Sequence, residues 1–334
     1  MEKGIQSSCP ACLSETHVFS VLSSLDATRH FKAGGTSIRD FELLRRYIEN
    51  LWKSDSCSRR ICDNCNLIFA DPFVAGDSFF YNFAQSSHIY PKDRWEYRIA
   101  IDKMKSQFDG NFSLLEIGAG TGEFLLEVLK HGLSKNHLLA IEFDNVGVNT
   151  ITNLGINCLQ VDLREAGFPK SERFSAIVMF QVFEHLDDLD TFLESIVQLL
   201  QHNGNFVVSV PNYQRILFME SAVGFIDMPP NHLTTWSREA LDALFKRHGL
   251  KMDFFEIENA QFLDFMYQVI YYSILKRRQA GSEFEKRILS LRPRKLRILF
   301  FVVFSLFHFF YRFPKLLQFN SKLGGSQVAI FKKI

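Results

Sequence analysis

An apolar run at the N-terminus, internal repeats and low-complexity segments are all missing from this sequence of 334 residues. The first residues, Met-Glu-Lys-Gly-Ile-Gln-Ser-Ser-Cys, lack the apolar core of a secretory signal, so we expect no export. Hydrophobic residues make up 47% and charged residues 22% of the chain, which excludes a disordered or collagen-like protein. The length suits one large domain, or a domain with a small additional module.

Net charge is also nearly absent, at +1, but this value conceals an uneven distribution. From residue 270 onward, 14 lysines and arginines stand against two glutamates, so this segment carries +12 and residues 1–269 carry −11. Such asymmetry indicates that the C-terminal segment meets an anionic partner or surface.

Cysteines are few, but their spacing is informative. Two C-x-x-C pairs account for four of the six: Cys9, Cys12, Cys62 and Cys65. In a chain of this size the spacing indicates a metal site rather than a disulfide framework, and four thiolates satisfy a structural Zn²⁺ tetrahedrally. The spacer of 49 residues between the pairs is long for a zinc ribbon. Cys57 and Cys158 remain as partly buried thiols, and we expect a reducing, cytosolic compartment.

From residue 113 onward, short apolar runs alternate with amphipathic stretches, which predicts a doubly wound α/β fold with a parallel sheet covered on both faces. The predicted strands are Ser113–Ile117, His137–Phe143, Asn157–Val161, Phe174–Phe180, Asn205–Val210, Lys251–Ile257 and, after a long excursion, Gln327–Phe331. The predicted helices lie near 93–108, 122–132, 187–201 and 237–249.

A glycine-rich loop, Gly118-Ala-Gly-Thr-Gly122, joins the first of these strands to a helix. Glycines there let the backbone turn sharply and approach a ligand. The third glycine of a dinucleotide fingerprint would fall at Glu123, whose carboxylate repels a pyrophosphate, so NAD and FAD are disfavoured. A P-loop is excluded because no Gly-Lys-Ser or Gly-Lys-Thr follows.

The segment Leu-Glu-Ile-Gly-Ala-Gly-Thr-Gly-Glu-Phe resembles the first motif of class I S-adenosylmethionine-dependent methyltransferases. The resemblance implies that Glu142, at the end of the second strand, accepts both ribose hydroxyls and that Asp162, after the third, accepts the adenine amino group. The full set of cofactor-binding residues that it implies is Glu116, Gly118, Ala119, Gly120, Gly122, Glu142, Asp162 and Gln181.

After the fourth strand, Gln-Val-Phe-Glu184-His185-Leu and the later Pro-Pro-Asn-His232 resemble a subgroup of the same family. Three roles stay open for Glu184, His185 and His232. In the first, an imidazole acts as general base towards a hydroxyl of the acceptor. In the second, the three residues bind a catalytic metal. In the third, the role is structural: Glu184 caps the following helix and His185 packs beneath the loop. A related branch binds metal with Glu-x-x-Glu-His and a distant His, but Gln181 replaces its first Glu.

The resemblance covers about residues 60–258 and 324–334. Zinc-ribbon headers similar to this one precede methyltransferase domains of the subgroup. We therefore expect a zinc-ribbon-like module in 1–75, a connecting helix in 76–112, the methyltransferase domain in 113–259 and 324–334, and a helical, membrane-associating insertion in 260–323.

The insertion contains Ile298–Tyr311, 14 residues without a formal charge between basic flanks. A helix of this length rises about 21 Å, less than the roughly 30 Å hydrocarbon core of a bilayer, which favours a helix in the headgroup boundary over a span. Burial in a homodimer interface is the first alternative. Nucleic-acid binding is the second, and the segregation of rings from charges disfavours it.

The sequence thus predicts an S-adenosylmethionine-dependent methyltransferase that O-methylates a small-molecule, glycan or lipid-linked acceptor. The alternatives are a non-catalytic cofactor-binding scaffold and a nucleic-acid-associated methyltransferase. We expect a cytoplasmic protein, peripheral on the inner face of a membrane.

Overall fold

The computed structural model describes residues 8–31, 37–84, 93–164, 173–224, 228–279, 303, 306–307 and 309–334. Its strands are β1 (Thr16–Ser23), β2 (Ser56–Cys62), β3 (Ile68–Asp71), β4 (Leu114–Ile117), β5 (Leu138–Ile141), β6 (Asn157–Leu159), β7 (Phe174–Phe180), β8 (Leu200–Pro211), β9 (Thr234–Thr235), β10 (Leu250–Ile257) and β11 (Ser326–Lys333). Its helices are α1 (Ser24–Phe31), α2 (Ile38–Trp52), α3 (Ser78–Ala84), α4 (Trp95–Met104), α5 (Glu123–Lys130), α6 (Asn145–Asn153), α7 (Leu189–Leu199), α8 (Tyr213–Val223), α9 (Arg238–Arg247) and α10 (Phe262–Gln279).

The larger sheet has seven strands in the order β10-β11-β8-β7-β4-β5-β6. The strands from β8 to β6 are parallel, and β11 runs antiparallel between β8 and β10. Every residue of β4 and β5 is buried, as parallel strands covered on both faces require. The predicted α/β Rossmann-like fold is therefore confirmed, with a reversal of strand order beside β4 that is typical of ligand-binding edges.

Local signals explain where several helices begin. The side chain of Asp144 accepts a hydrogen bond from the backbone of Gly147 at the start of α6, and Ser237 accepts one from Ala240 at the start of α9. Helix α4 buries Ile101 and Met104 in the core on one side of the large sheet. The side chains of Asp144 and Ser237 thus cap their helices, because they satisfy backbone N–H groups that a helix leaves without intrahelical partners.

A second, four-stranded sheet has the order β1-β2-β3-β9 and is antiparallel throughout. Helices α1 and α2 lie between β1 and β2, and with 8 and 15 residues they take up nearly half of the 49-residue spacer between the two cysteine pairs. The fourth strand, β9, comes from much later in the chain, between α8 and α9. The N-terminal cysteine module therefore completes its sheet with a segment that follows His232.

Helix α10 begins the insertion before the last strand, and residues 309–316 form a further helix. Phe265 and Val269 of α10 share a buried cluster with Met219 of α8 and with Leu316. Within the described ranges, no helix combines the length and apolar character that are needed to cross a bilayer. Most of the predicted interfacial segment Ile298–Tyr311 lies outside the described residues.

Candidate functional site

The glycine loop after β4 adopts a conformation that side chains would not allow. Gly118, Gly120 and Gly122 have positive φ angles of 71°, 56° and 84°. A Cβ atom on Gly118 would lie 2.4 Å from a methyl carbon of Val182, and one on Gly147 would lie 2.4 Å from the carbonyl oxygen of Gly120. The loop is therefore packed closely between the turn that follows β7 and the first turn of α6, and only glycine fits there.

Glu142, at the end of β5, ties this loop to its neighbour. Its carboxylate accepts hydrogen bonds from the backbone N–H of Gly120 at 2.6 Å and from those of Phe143 and Asp144 at 2.7 and 2.9 Å. The side chain is 8% exposed. The structure thus brings Glu142 against the glycine loop, as the predicted cofactor site requires, while its contact with ribose stays a prediction.

Glu116, in the middle of β4, is a buried acid facing α4. Its Oε2 atom has no hydrogen-bond partner among the described residues. Burial first, and the carboxylate of Glu142 second, raise the pKa of Glu116 well above its ordinary value, although Arg94 acts in the opposite direction. A buried carboxylate oxygen beside a glycine loop is suited to receive a cationic ligand group.

Asp162, after β6, forms an ion pair. Both of its oxygens contact the Arg164 guanidinium, at 2.6 to 3.1 Å, and Arg164 also contacts Asp187. Partial burial alone would raise the pKa of Asp162, but the hydrogen bonds from Arg164 outweigh burial and lower it. Its predicted role as acceptor for an adenine amino group remains a prediction.

Beyond the end of β7 lies a cavity of about 400 Å³. Its lining is strongly acidic and combines residues from five separate parts of the chain: Asp93, Arg94, Trp95, Glu96, Gln181, Glu184, His185, His232, Glu258 and Ser326. Gln181 has a positive φ of 57° and donates from its side-chain amide to the Ser209 hydroxyl at 3.0 Å. This strained residue directly precedes Val182, which contacts Gly118, so the cavity and the glycine loop adjoin.

Glu184, His185 and His232 meet at one end of the cavity. Oε1 of Glu184 lies 4.0 Å from Nε2 of His185 and 3.8 Å from Nε2 of His232. The two imidazole rings are edge to face with their centroids 4.5 Å apart. Glu184 is 1% exposed, whereas about a fifth of each histidine side chain reaches solvent. The structure thus brings the three predicted catalytic residues together, although their chemical role stays a prediction.

The tautomer of His185 is set by the backbone carbonyl group of Asn231. Nδ1 of His185 lies 2.8 Å from the carbonyl oxygen of Asn231 and 3.2 Å from the hydroxyl of Tyr81. A carbonyl oxygen only accepts hydrogen bonds, so Nδ1 carries the proton. In the neutral ring Nε2 therefore presents a lone pair towards Glu184.

The four predicted cysteine ligands form one cluster. The sulfur atoms of Cys9 and Cys65 are 3.6 Å apart, those of Cys12 and Cys62 are 3.4 Å apart, and all four lie within 4.8 Å of one another. These separations are far longer than a disulfide bond of about 2.05 Å and suit a tetrahedron of thiolates about 2.3 Å from Zn²⁺. The cluster fits the predicted zinc ribbon.

The two cysteine turns have the same backbone geometry. In each, the residue four positions after the first cysteine donates its N–H to that cysteine's carbonyl and has a positive φ: Leu13 donates to Cys9, and Asn66 donates to Cys62. Backbone N–H groups of residues 64 and 65 also point at the Cys62 sulfur, both at 3.4 Å. Paired turns of this kind hold the sulfurs in place before any ion arrives.

Several residues of the cavity were absent from the sequence prediction. Arg94 and Glu96, at the start of α4, and Glu258, after β10, all line it. Glu258 accepts hydrogen bonds from the backbone N–H groups of Gly325 and Ser326 at 2.8 and 3.1 Å. Nothing in the local pattern separates these charges from exposed ones. The exception is Glu96, because the helical spacing of α4 places it on the side of that helix that faces the sheet.

A comparison with protein families identifies the family of this chain. A family described as "Methyltransferase domain" matches residues 57–253, more than half of the chain. A ubiquinone biosynthesis O-methyltransferase of Rickettsia prowazekii is 25% identical over 118 residues, which are 34% of this chain and 46% of the relative. The chain therefore spans about half the length of that relative.

Solved structures with a related shape include an S-adenosylmethionine-dependent methyltransferase from Archaeoglobus fulgidus. It is 17% identical, with a TM-score of 0.44, over 71% of this chain and 94% of the other. Another is a coclaurine N-methyltransferase, which is 13% identical, with a TM-score of 0.42, over 71% of each chain.

Proposed function

Because this chain belongs to the methyltransferase-domain family, we propose that it transfers a methyl group from S-adenosylmethionine to an acceptor held in the acidic cavity beside Gln181. The observation that carries the proposal is the glycine loop packed against Glu142, with the buried carboxylate of Glu116 next to it. All three features stand on neighbouring parallel strands or directly after them. This is where ligands bind in folds of this class.

The residues present fit the cofactor. When bound, it supplies a methyl group on a positively charged sulfur. The unpartnered oxygen of Glu116 suits the ammonium group of the methionine end, and Glu142 suits the two ribose hydroxyls. The cavity walls position the acceptor and limit the approach of water, and oriented approach supplies much of the acceleration in such a displacement.

We further propose that the acceptor atom is an oxygen. The cluster of Glu184, His185 and His232 is suited to prepare a hydroxyl for attack, either by taking its proton on an imidazole or by holding a cation that lowers the hydroxyl's pKa. The Rickettsia relative is an O-methyltransferase, which supports the same choice of atom.

Binding of S-adenosylhomocysteine tests the cofactor assignment. We expect saturable binding that weakens in Glu142→Ala by about 1.5–3 kcal/mol, since a charged acceptor of hydrogen bonds is lost. Glu194→Ala, an exposed acid on α7, is the matched control and should bind like the wild type. If Glu142→Ala binds S-adenosylhomocysteine as tightly as the wild type, the assignment of Glu142 to the ribose is wrong. If the protein prefers NADH, the proposed function is wrong.

We propose structural Zn²⁺ as the occupant of the four-cysteine cluster. Four thiolates fill a tetrahedral coordination sphere and leave no position for a substrate or water. Elemental analysis should find one zinc per chain, and Cys62→Ser with Cys65→Ser should abolish it. Metal-free wild-type protein with unchanged thermal unfolding would contradict this assignment.

We also propose that the protein binds a membrane surface, which favours a lipid-linked or glycan acceptor. Apolar side chains recur at Leu306, Phe310, Phe313 and Leu317, and all four are exposed. This spacing is that of one face of a helix, and the neighbouring face, through Leu316, packs against α10. An exposed apolar stripe within a segment of charge +12 is suited to an anionic lipid surface.

Co-sedimentation with vesicles of anionic lipid tests the membrane proposal. We expect the protein to bind, more weakly at high salt because salt screens its charges, and we expect Phe310→Ser with Leu317→Ser to release it. Ile38→Ser, at an exposed apolar position on α2, is the control and should still bind. A wild type that ignores vesicles would overturn the proposal, and a change from dimer to monomer in the double variant would favour a dimer interface.

A further inference from the structure

We propose that the acceptor carries a protonated amine on the same small unit as its reacting hydroxyl, and that Glu96 and Glu258 bind this amine in the acidic cavity. The inference rests on the proposed function and names the class of acceptor, a compound in which an amine and a hydroxyl are neighbours, as in amino sugars and amino alcohols. Glu96 lies in the first turn of α4 and Glu258 directly follows β10, so both are separate from the cluster of Glu184, His185 and His232 at one end of the same cavity.

Outside that cluster, the cavity has more negative charge than its own side chains neutralise. Asp93 is compensated, because Nη1 of Arg98 lies 3.0 Å from each of its carboxylate oxygens. Arg94 is the only lysine or arginine among the described residues that line the cavity, and its Nη1 atom lies 3.5 Å from Oε1 of Glu96. One arginine therefore faces two carboxylates, those of Glu96 and Glu258, and the cavity is suited to one further positive charge.

Glu96 is almost completely buried although it lines the cavity. Its exposed fraction is 3%, and the only hydrogen bond that its carboxylate accepts from another described residue is the long one from Arg94, at 3.5 Å. Burial is the main cause that raises the pKa of Glu96, and the carboxylate of Glu258 raises it further, whereas Arg94 acts in the opposite direction. A cationic group placed between Glu96 and Glu258 opposes both of these causes and favours the charged form of each acid.

Glu258 is held in place by the segment that begins β11. Its backbone N–H donates to the carbonyl of Ser326 at 3.0 Å, and its own carbonyl accepts from the N–H of Gly324 at 3.2 Å. Oε2 of Glu258 accepts from the N–H groups of Gly325 and Ser326, so Oε1 is left without a hydrogen bond to any described residue. A cation that binds there meets a carboxylate already in position, which lowers the entropic cost of binding.

Arg215, on α8, also lies near enough to interact with Glu258, but it does not act as its counterion. The guanidinium of Arg215 donates to the carbonyl of Leu323 at 2.7 Å and to the side chain of Gln268. It also lies over the ring of Phe265, 5.6 Å from the ring centroid. Arg215 is thus bound to the insertion, and no described residue forms an ion pair with Glu258.

The two carboxylates also decide which atom of such an acceptor reacts. They favour the charged form of the amine, and an ammonium nitrogen has no lone pair with which to attack a methyl group. The hydroxyl is then the nucleophile. Its oxygen forms a bond to the methyl carbon while the bond from that carbon to sulfur breaks, the electron pair of the broken bond stays on sulfur, and an imidazole of the cavity takes up the hydroxyl proton. The products are the methyl ether with its ammonium group intact and S-adenosylhomocysteine.

Transfer of a labelled methyl group to defined probes tests the class of acceptor. The probes are alkyl glycosides of amino sugars and, in a separate assay, long-chain amino alcohols, each compared with a matched compound in which a hydroxyl replaces the amine. We expect the wild type to methylate the oxygen of an amine probe at least about tenfold faster than its neutral match.

Glu96→Gln and Glu258→Gln keep the shape of the side chain but remove its charge, so each should reduce this preference to below about threefold. Glu194→Gln, at an exposed acid on α7 outside the cavity, is the control and should keep the preference of the wild type. A preference that survives both cavity substitutions would overturn the inference. Equal methylation of the neutral compounds, or methylation on nitrogen, would overturn it as well.

Binding of S-adenosylhomocysteine, measured on the same proteins, separates this inference from the proposed function and shows that each variant is folded. All three variants should bind it like the wild type, because the amine site lies outside the residues assigned to the cofactor. Weaker binding in Glu96→Gln or Glu258→Gln would place that residue at the cofactor and overturn the inference. Wild-type protein that binds S-adenosylhomocysteine but methylates no amine probe would also overturn it and leave the proposed cofactor site standing. A wild type that does not bind S-adenosylhomocysteine would instead overturn the proposed function.

Discussion

Glu116 is a carboxylate that the fold isolates from water. It lies in β4, is 2% exposed, and sits next to a second acid, Glu142, at the same edge of the sheet. Burial of such a group without a ligand is costly, because water no longer solvates its charge. We infer that Glu116 is buried in this way because it binds a ligand, since an isolated polar group in the interior of a folded protein commonly marks a functional site.

The contribution of Glu116 to the stability of the unliganded protein should therefore fall as pH rises. The pKa of Glu116 is higher in the folded chain than in the unfolded one, so between these two values the folded chain binds more protons and the free energy of unfolding decreases as pH rises. Glu116→Gln removes the titration, and we expect a higher melting temperature than wild type at pH 7 together with weaker binding of S-adenosylhomocysteine. Melting curves from pH 5 to 8, with Glu194→Gln as control, check this. A variant with the wild-type pH slope would exclude Glu116 as its source.

Identities of site residues were easier to predict than their contacts. The glycines and Glu142 were found from order and spacing along the chain, and they do lie together. Asp162 was found by the same argument, but its ion pair with Arg164 depends on how two side chains pack. The hydrogen bond from His185 to the carbonyl of Asn231 joins residues 46 positions apart, and no local pattern encodes it.

At the level of helices and strands, the hydrophobic periodicity of the sequence correctly predicted the elements that are most buried. Phe174–Phe180 has the predicted bounds, and β8 extends beyond its predicted range at both ends because its first residues leave α7 directly. Helices α1 and α2 were missed, since the long cysteine spacer was interpreted only as unusual. The two-residue strand β9 is too short to have a period, and only its pairing with Ile68 and Phe69 defines it.

A buried ion pair connects the small sheet to α8. Arg59 on β2 and Glu220 are 2.9 Å apart, with side chains 6% and 10% exposed. Removal of one partner from such a pair leaves a buried charge, so Glu220→Ala should lower the free energy of unfolding by about 3–5 kcal/mol.

Urea denaturation measures this loss, and the chain offers a matched exposed pair. Lys332 and Asp253 are 3.1 Å apart with about half of each side chain exposed, so Asp253→Ala should cost at most about 1 kcal/mol. Similar losses for the two variants would show that the pair between β2 and α8 does not behave as a buried one.

On the scale of the whole molecule, the cysteine module and the large sheet share one core. Cys9, Cys62 and Phe69 belong to the same buried cluster as Ile177 of β7 and Phe245 of α9. Arg247, at the end of α9, also donates to the carbonyls of Pro10 and Ala11 in the first cysteine turn, both at 2.9 Å. The module is thus part of the core rather than an appendage.

A shared core predicts one cooperative unfolding transition. Removal of the proposed zinc ion with a chelator should lower the temperature of the whole transition in calorimetry, instead of abolishing a separate early peak, because the module and the sheet lose stability together. The zinc-loaded protein in the same buffer is the reference. Two peaks, of which only the first responds to the chelator, would mean that the module unfolds by itself.

The position of β11 in the sheet has a consequence for how the protein folds during its synthesis on the ribosome. This strand fills the slot between β8 and β10, yet residues 258–325 are synthesised between β10 and β11. At about 5–20 residues per second, the slot stays open for roughly 3–14 seconds. During that time two apolar strand edges lie exposed on the nascent chain, and each is able to pair with a foreign strand. Chaperones that shield nascent chains should therefore matter most for this protein in the interval after residue 257 and before residue 326 emerges.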